Sequence, residues 1–148
     1  MKTTIETKTA GTIKINSVFK GNKLWKNGSD RFQNWNNHKV TVTHNGQKFS
    51  FDFWGSIANP EISNDQENVF ALYCALSDGL SAENDFNEFC SEFGYDNDSR
   101  TAERIYKACE KTNAKINRVF SCDLYDLINE IQEDYNCFSM AKSISRCN

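Results

Sequence analysis

The sequence predicts an α+β fold: an N-terminal antiparallel β-sheet, centred on a hairpin at 39–54, covered on one face by about four C-terminal helices. Three observations predict it. Strand-like alternation is confined to the residues before 55, and apolar stripes at helical spacing follow. The hairpin has one apolar and one polar face, so its sheet needs cover on one side. With 148 residues and 39% apolar content, the chain is about one domain long and can build a core without metals or disulfides. Residues 1–148 therefore read as a single domain, with 1–60 mostly β and 61–148 mostly helical.

Residues 1–20 read as extended. Thr, Ile and Val predominate, and Gly11 separates Thr3–Thr9 from Thr12–Phe19, which suggests a first hairpin or two edge strands. Residues 21–37 are polar and rich in Asn and Gly, with Leu24, Trp25, Phe32 and Trp35 embedded. That segment reads as a long loop with room for one short turn of helix. From Lys39 to Trp54, two alternating runs flank Asn45-Gly46, the preferred type I′ turn. Such a turn pairs His44 with Gln47, Val42 with Phe49 and Val40 with Phe51. Val40, Val42, Phe49, Phe51 and Phe53 then share one face, and Thr41, Thr43, Lys48, Ser50 and Asp52 the other.

Four helical segments follow. Ser63-Asn64-Asp65-Gln66 offers a cap before Val69, Phe70, Tyr73 and Leu76, with Gly79 as the stop. Ser81 is the expected cap of a second helix with Phe86, Phe89, Cys90 and Phe93 inward, ended by Gly94. Asp98 or Ser99 caps a longer third helix, with Ala102, Ile105, Cys109, Ile116 and Val119 or Phe120 inward. Asp123 caps the fourth, with Leu124, Leu127, Ile128 and Ile131 inward.

The net charge of −3 conceals a division. Residues 1–60 hold nine Lys/Arg and three Asp/Glu, a net of +6, while 61–148 hold eight and seventeen, a net of −9. From Glu61 to Ser99 there are ten acids and no Lys or Arg. Arg100, Arg104, Lys107, Lys111, Lys115 and Arg118 follow, at steps that place all six on one helix face. One reading is that the acidic helices neutralise the basic parts within the fold. A second takes Glu83, Glu88 and Glu92, extended by Asp85, Asp96 and Asp98, as an acidic face that docks in the nucleic-acid groove of another protein. A third turns to the basic stripe, or to the basic and aromatic set Lys20, Lys23, Trp25, Lys26, Arg31 and Trp35, for binding phosphates and stacking bases.

Catalytic motifs are sparse. No nucleophile elbow, P-loop, G-x-G-x-x-G or H-E-x-x-H occurs. His38 and His44 lie about 20 Å apart along one strand, by its ~3.3 Å rise per residue, and cannot share a metal. A calcium loop starting at Asp96 would put Thr101 at the glycine position and Lys107 at the bidentate acid position. The six cysteines contain no C-x-x-C pair and read as reduced, mostly structural thiols. The expectation is a protein that is not an enzyme and has no cofactor and no metal. No run approaches the ~20 apolar residues of a membrane span, and the start, Met1-Lys2-Thr3-Thr4-Ile5-Glu6, lacks the apolar stretch of a signal peptide. No membrane partner and a cytoplasmic location in the host cell are expected.

One stretch, from Phe86-Asn87-Glu88-Phe89-Cys90 through Phe93-Gly94-Tyr95-Asp96-Asn97-Asp98-Ser99-Arg100 to Ala102 and Tyr106, resembles a segment recurring in small phage and prophage proteins. The shared pattern is F-x-x-[FW]-C-x-x-[FY]-G-Y-D-x-D-S-R-x-A, and the likeness extends to Phe120. It implies a phage or mobile-element origin and transfers no catalytic residue. Small accessory proteins of that origin often bind and disable host defence, anti-CRISPR proteins among them. By that analogy the chain is expected to be a host-defence inhibitor, an anti-CRISPR protein whose acidic face binds a CRISPR nuclease or effector and blocks nucleic-acid access. The alternative is a small nucleic-acid-binding phage accessory protein using the basic helix face. A structural or scaffolding phage protein is a third expectation.

Overall fold

The computed structural model describes residues 1–27, 31–55, 62 and 64–135, and the side chains of these except at 22–27, 31–35 and 55. It has the expected α+β architecture. Strands β1 (Lys2–Thr7), β2 (Gly11–Asn27), β3 (Arg31–His44) and β4 (Gln47–Gly55) form one antiparallel sheet in the order β1-β2-β3-β4. Helices α1 (Asp65–Ser81), α2 (Phe86–Phe93), α3 (Arg100–Val119) and α4 (Leu124–Tyr135) follow.

The hairpin forms in the expected register, with His44 opposite Gln47, Val42 opposite Phe49 and Val40 opposite Phe51. Asn45 and Gly46 take φ of 49° and 77°, the positive values that a type I′ turn demands. Val40, Val42, Phe49 and Phe51 are buried and Phe53 is half-buried. Ile5, Ile13 and Ile15 complete the same sheet face. Against it pack Val69, Leu72 and Leu76 of α1, Ile116 of α3, and Leu127 and Ile131 of α4. α1 is buried on nearly every side because it runs between the sheet and both α3 and α4. A smaller cluster of Phe89, Cys90, Ala102, Ile105 and Cys109 fastens α2 to α3.

Three local expectations need correction. Residues 21–37, read as a loop, carry the far ends of β2 and β3 and pair with each other from Gly21↔Asn37 to Asn27↔Arg31. Ladder hydrogen bonds satisfy the backbone there, and Trp25, Phe32 and Trp35 supply the β propensity that the Asn and Gly content masks. Gly79 does not stop α1, which continues to Ser81. Its role is close approach: a Cβ at Gly79 would lie 2.9 Å from Ile116 Cδ1 and 3.3 Å from Asn113 Cα. Ser81 does not cap α2, because its hydroxyl turns back to the Ser77 carbonyl at 2.9 Å. Asp85 is the cap, its carboxylate accepting from the Glu88 N–H at 2.8 Å.

The other caps fall as expected. Asn64 accepts from Glu67 N–H, Ser99 from Ala102 N–H, and Asp123 from Tyr125 and Asp126 N–H. Ser63, the other cap residue considered for α1, lies outside the described residues, as do Glu61, Cys137 and Cys147. Gly94 ends α2 with φ 73°.

Candidate functional site

The basic stripe acquires its surroundings from the way α3 is seated. At 100° per residue, its buried positions Ala102, Ile105, Cys109, Thr112, Ile116 and Val119 gather on one side. The six cations centre roughly 130° round the helix from there. That angle is too small for a fully solvated back face. It turns the stripe sideways, toward β4, the sheet's edge strand on the α3 side.

Helix and strand enclose a groove of about 1020 Å³. Arg100, Glu103, Arg104, Lys107, Lys111 and Lys115 line it from α3 with Ala108 and Thr112, and Lys39, Ser50, Phe51 and Asp52 from the sheet. Six cations against two carboxylates give the lining a formal charge of 6 − 2 = +4. Arg118 belongs to the stripe but lies outside the lining. β4 presents backbone here too. In a two-residue hairpin the residues closing the turn bond each other, so Lys48, Ser50 and Asp52 direct their N–H and C=O groups away from β3. Lys115 donates from Nζ to the Ser50 carbonyl at 3.1 Å and holds helix to strand.

Both carboxylates have a nearby lysine. Glu103 pairs with Lys107 at 3.0 Å, an exposed i,i+4 contact worth a few tenths of a kcal/mol. Asp52 stands opposite Lys39 in the β3–β4 register. Arg100, Arg104 and Lys111 make no ion pair among the described residues. The acidic helices therefore do not neutralise these three cations by direct pairing. The Ser50 hydroxyl is 3.0 Å from that of Thr41. Chemically, the groove is built to attract an extended anion and to offer it several donors along its length.

The acidic face lies across α3 from the groove, on α2 and its flanking turns. Glu83, Asp85, Glu88, Glu92, Asp96 and Asp98 are all exposed. Two of them have local structural duties: Asp85 caps α2, and Glu83 accepts from Asn113 Nδ2 at 3.3 Å. Glu92 lies 3.4 Å from Asn84 Nδ2. Glu88 and Glu92, four residues apart, share one helix face.

The remaining candidates are buried. His38 and His44 are both on the core side of β3. His44 Nε2–H donates to the Ala10 carbonyl at 2.6 Å, and the ring packs on Phe120 with centroids 4.8 Å apart. Cys74, Cys90, Cys109 and Cys122 are free thiols. Burial, with Asp78 nearby, pushes the Cys109 thiol up to about 12. Burial also raises Cys90, helped by Asp96. Among the described residues no three His, Cys, Asp or Glu side chains gather where a metal could be held, and no helix is long and apolar enough to cross a membrane.

Sequence reasoning identified both charged surfaces by residue and missed the sheet wall of the groove. Lys39, Ser50 and Asp52 read as ordinary polar-face positions, and no local signal says which helix will flank β4. No protein-family model, no curated protein and no solved structure matches the chain.

Proposed function

We propose that the chain binds nucleic acid, holding its phosphate backbone in the groove between α3 and β4, as a small accessory protein that acts by binding and not by catalysis. The observation that carries this reading is the +4 lining in which Arg100, Arg104 and Lys111 have no carboxylate partner among the described residues. Phosphate contacts from Lys and Arg supply most sequence-independent affinity, and released counterions make that affinity salt-dependent. The outward backbone of β4 adds N–H donors, which phosphates also accept. The likeness of 86–120 to phage and prophage segments supports a mobile-element setting.

The inhibitor reading keeps one observation of its own: Glu88 and Glu92 are exposed side by side on α2, away from the groove. On that reading a CRISPR nuclease or another host effector supplies the basic partner surface, and reversing these two charges slows association.

Two charge-reversal pairs separate the readings. Arg104→Glu with Lys111→Glu reverses the groove and spares Lys115, which secures β4. Glu88→Lys with Glu92→Lys reverses α2. In a mobility-shift assay with DNA and RNA, the wild type and the α2 pair are expected to bind alike, and the groove pair at least 10-fold more weakly. Absence of binding by the wild type at low salt, together with capture and inhibition of a defence nuclease that the α2 pair loses, would replace this reading with the inhibitor one.

A further inference from the structure

The β2–β3 ribbon beyond the sheet extends one wall of the groove. In β3 the even positions Val42, Val40, His38 and Asn36 are buried, whereas Lys39 is exposed and Thr41 and Thr43 are half-buried. Strand alternation has period two, so Asn37, Trp35, Gln33 and Arg31 continue the phase of Lys39. In β2 the matching phase starts on even positions, with Lys14 opposite Thr43, Asn16 opposite Thr41 and Val18 opposite Lys39.

Between Phe19 and Gly21 the register shifts by one residue, a bulge at Lys20. Past it, Lys23 pairs with Trp35, Trp25 with Gln33 and Asn27 with Arg31. The bulge therefore moves β2 from even to odd positions in this phase, a re-aiming that bulges are known for. Without it Trp25 would stand opposite Phe32, in the other phase from Trp35. With it Lys23, Trp25, Arg31, Gln33 and Trp35 share one phase, continuous with the groove-lining Lys39. The apolar Leu24 and Phe32 fall in the other phase, with the buried Asn36 and His38. Two tryptophans have thus been placed in the phase of the exposed, basic face and two apolar residues in the phase of the core. From Lys39 to Arg31 the strand runs roughly 26 Å, the reach of several nucleotides.

We propose that this juxtaposition makes the ribbon a stacking platform, and that the occupant of the groove is single-stranded nucleic acid whose bases leave the groove past Lys39 and stack on Trp25 and Trp35. The inference rests on the groove reading and narrows its ligand. Every base has a π-face, so aromatic stacking adds affinity without sequence preference, and a duplex keeps those faces inside its own stack. Lys23 and Arg31 in the same phase supply phosphate contacts, and a cation beside an indole strengthens both.

The test is fluorescence anisotropy with labelled dT20 and a 20-base-pair duplex, on the full chain and on Trp25→Ala, Trp35→Ala, Trp25→Phe/Trp35→Phe and Arg104→Glu/Lys111→Glu variants. Tighter binding of dT20 than of the duplex is expected. Each Trp→Ala change should weaken dT20 binding by roughly 5-fold to over 100-fold and leave the duplex nearly unaffected. The Phe pair should retain most of the affinity. Unlabelled dT20 should quench wild-type tryptophan fluorescence, and the quench should vanish in the Phe pair, where Trp54 alone remains. That optical readout decides the matter if an Ala variant fails to fold. Tryptophan variants that bind dT20 like the wild type, with no quench, overturn the platform; if the groove pair still loses binding, the groove reading survives. Loss of neither, or no binding at all, overturns both.

Discussion

Asn68 shows how one polar residue can fix the relation between helix and sheet. It is fully buried on α1, and its Nδ2 lies 3.2 Å from the Met1 carbonyl, 3.0 Å from Thr3 Oγ1 and 3.3 Å from the Ile15 carbonyl. Thr3 in turn donates to Asp65 Oδ1 at 2.7 Å. Three acceptors surround the amide nitrogen, and Oδ1 meets no donor among the described residues. Asn68→Asp would set a carboxylate against oxygens, so urea unfolding should show a loss of about 3 kcal/mol or more. A loss under 1 kcal/mol would mean that the site admits water. Glu130 plays the corresponding part on α4. Its carboxylate accepts from the Lys8 and Thr9 N–H groups at 2.7 and 2.9 Å and holds the β1–β2 turn. Desolvation pushes this carboxyl up, but those hydrogen bonds and the Lys8 charge outweigh it and hold the group below its ordinary value. A depressed folded-state pKa stabilises above the unfolded pKa, and that contribution disappears as pH falls through the folded value. Wild type should therefore exceed Glu130→Gln in stability at pH 7, with the gap closing below about pH 4. A gap independent of pH would contradict this.

At the scale of elements, legibility followed the locality of the signal. The hairpin was readable because Asn45-Gly46 and the alternation around it are determined within a few residues. The caps at Ser99 and Asp123 were readable for the same reason. Gly79 was misread because its cause lies on another helix: its missing Cβ admits Ile116 and Asn113, and Asn113 Nδ2 donates to the Gly79 carbonyl at 2.9 Å. Gly79→Val should separate α1 from α3 at a cost of about 2 kcal/mol or more, despite the gain in helix propensity. A thermal midpoint equal to wild type would show that the helices are free to shift. The ribbon was misread for a related reason. Its Asn and Gly residues suit a loop, and only the pairing of one strand with the other makes extended backbone the better state. The bulge at Lys20 is likewise a property of the pair and cannot be read from either strand alone.

Across the whole molecule, α3 divides the two charged surfaces. Its buried stripe holds α1 and α2, so that the acids of α2 and the cations of the groove lie on different sides of one helix. The spacing of the six cations was legible in the sequence, but it did not say whether they face open water or a wall. That depended on α3 settling beside the edge strand, a consequence of packing Ile116 and Val119 against the sheet. The account stands on the groove being the place where a polyanion sits. The direct measurement is a titration of ¹⁵N-labelled protein with a short oligonucleotide, followed by amide chemical shifts. The largest changes should map to Ser50, Asp52, Arg104 and Lys111, with little movement from Glu83 to Asp96. Changes concentrated on α2, or none anywhere at low salt, would contradict it.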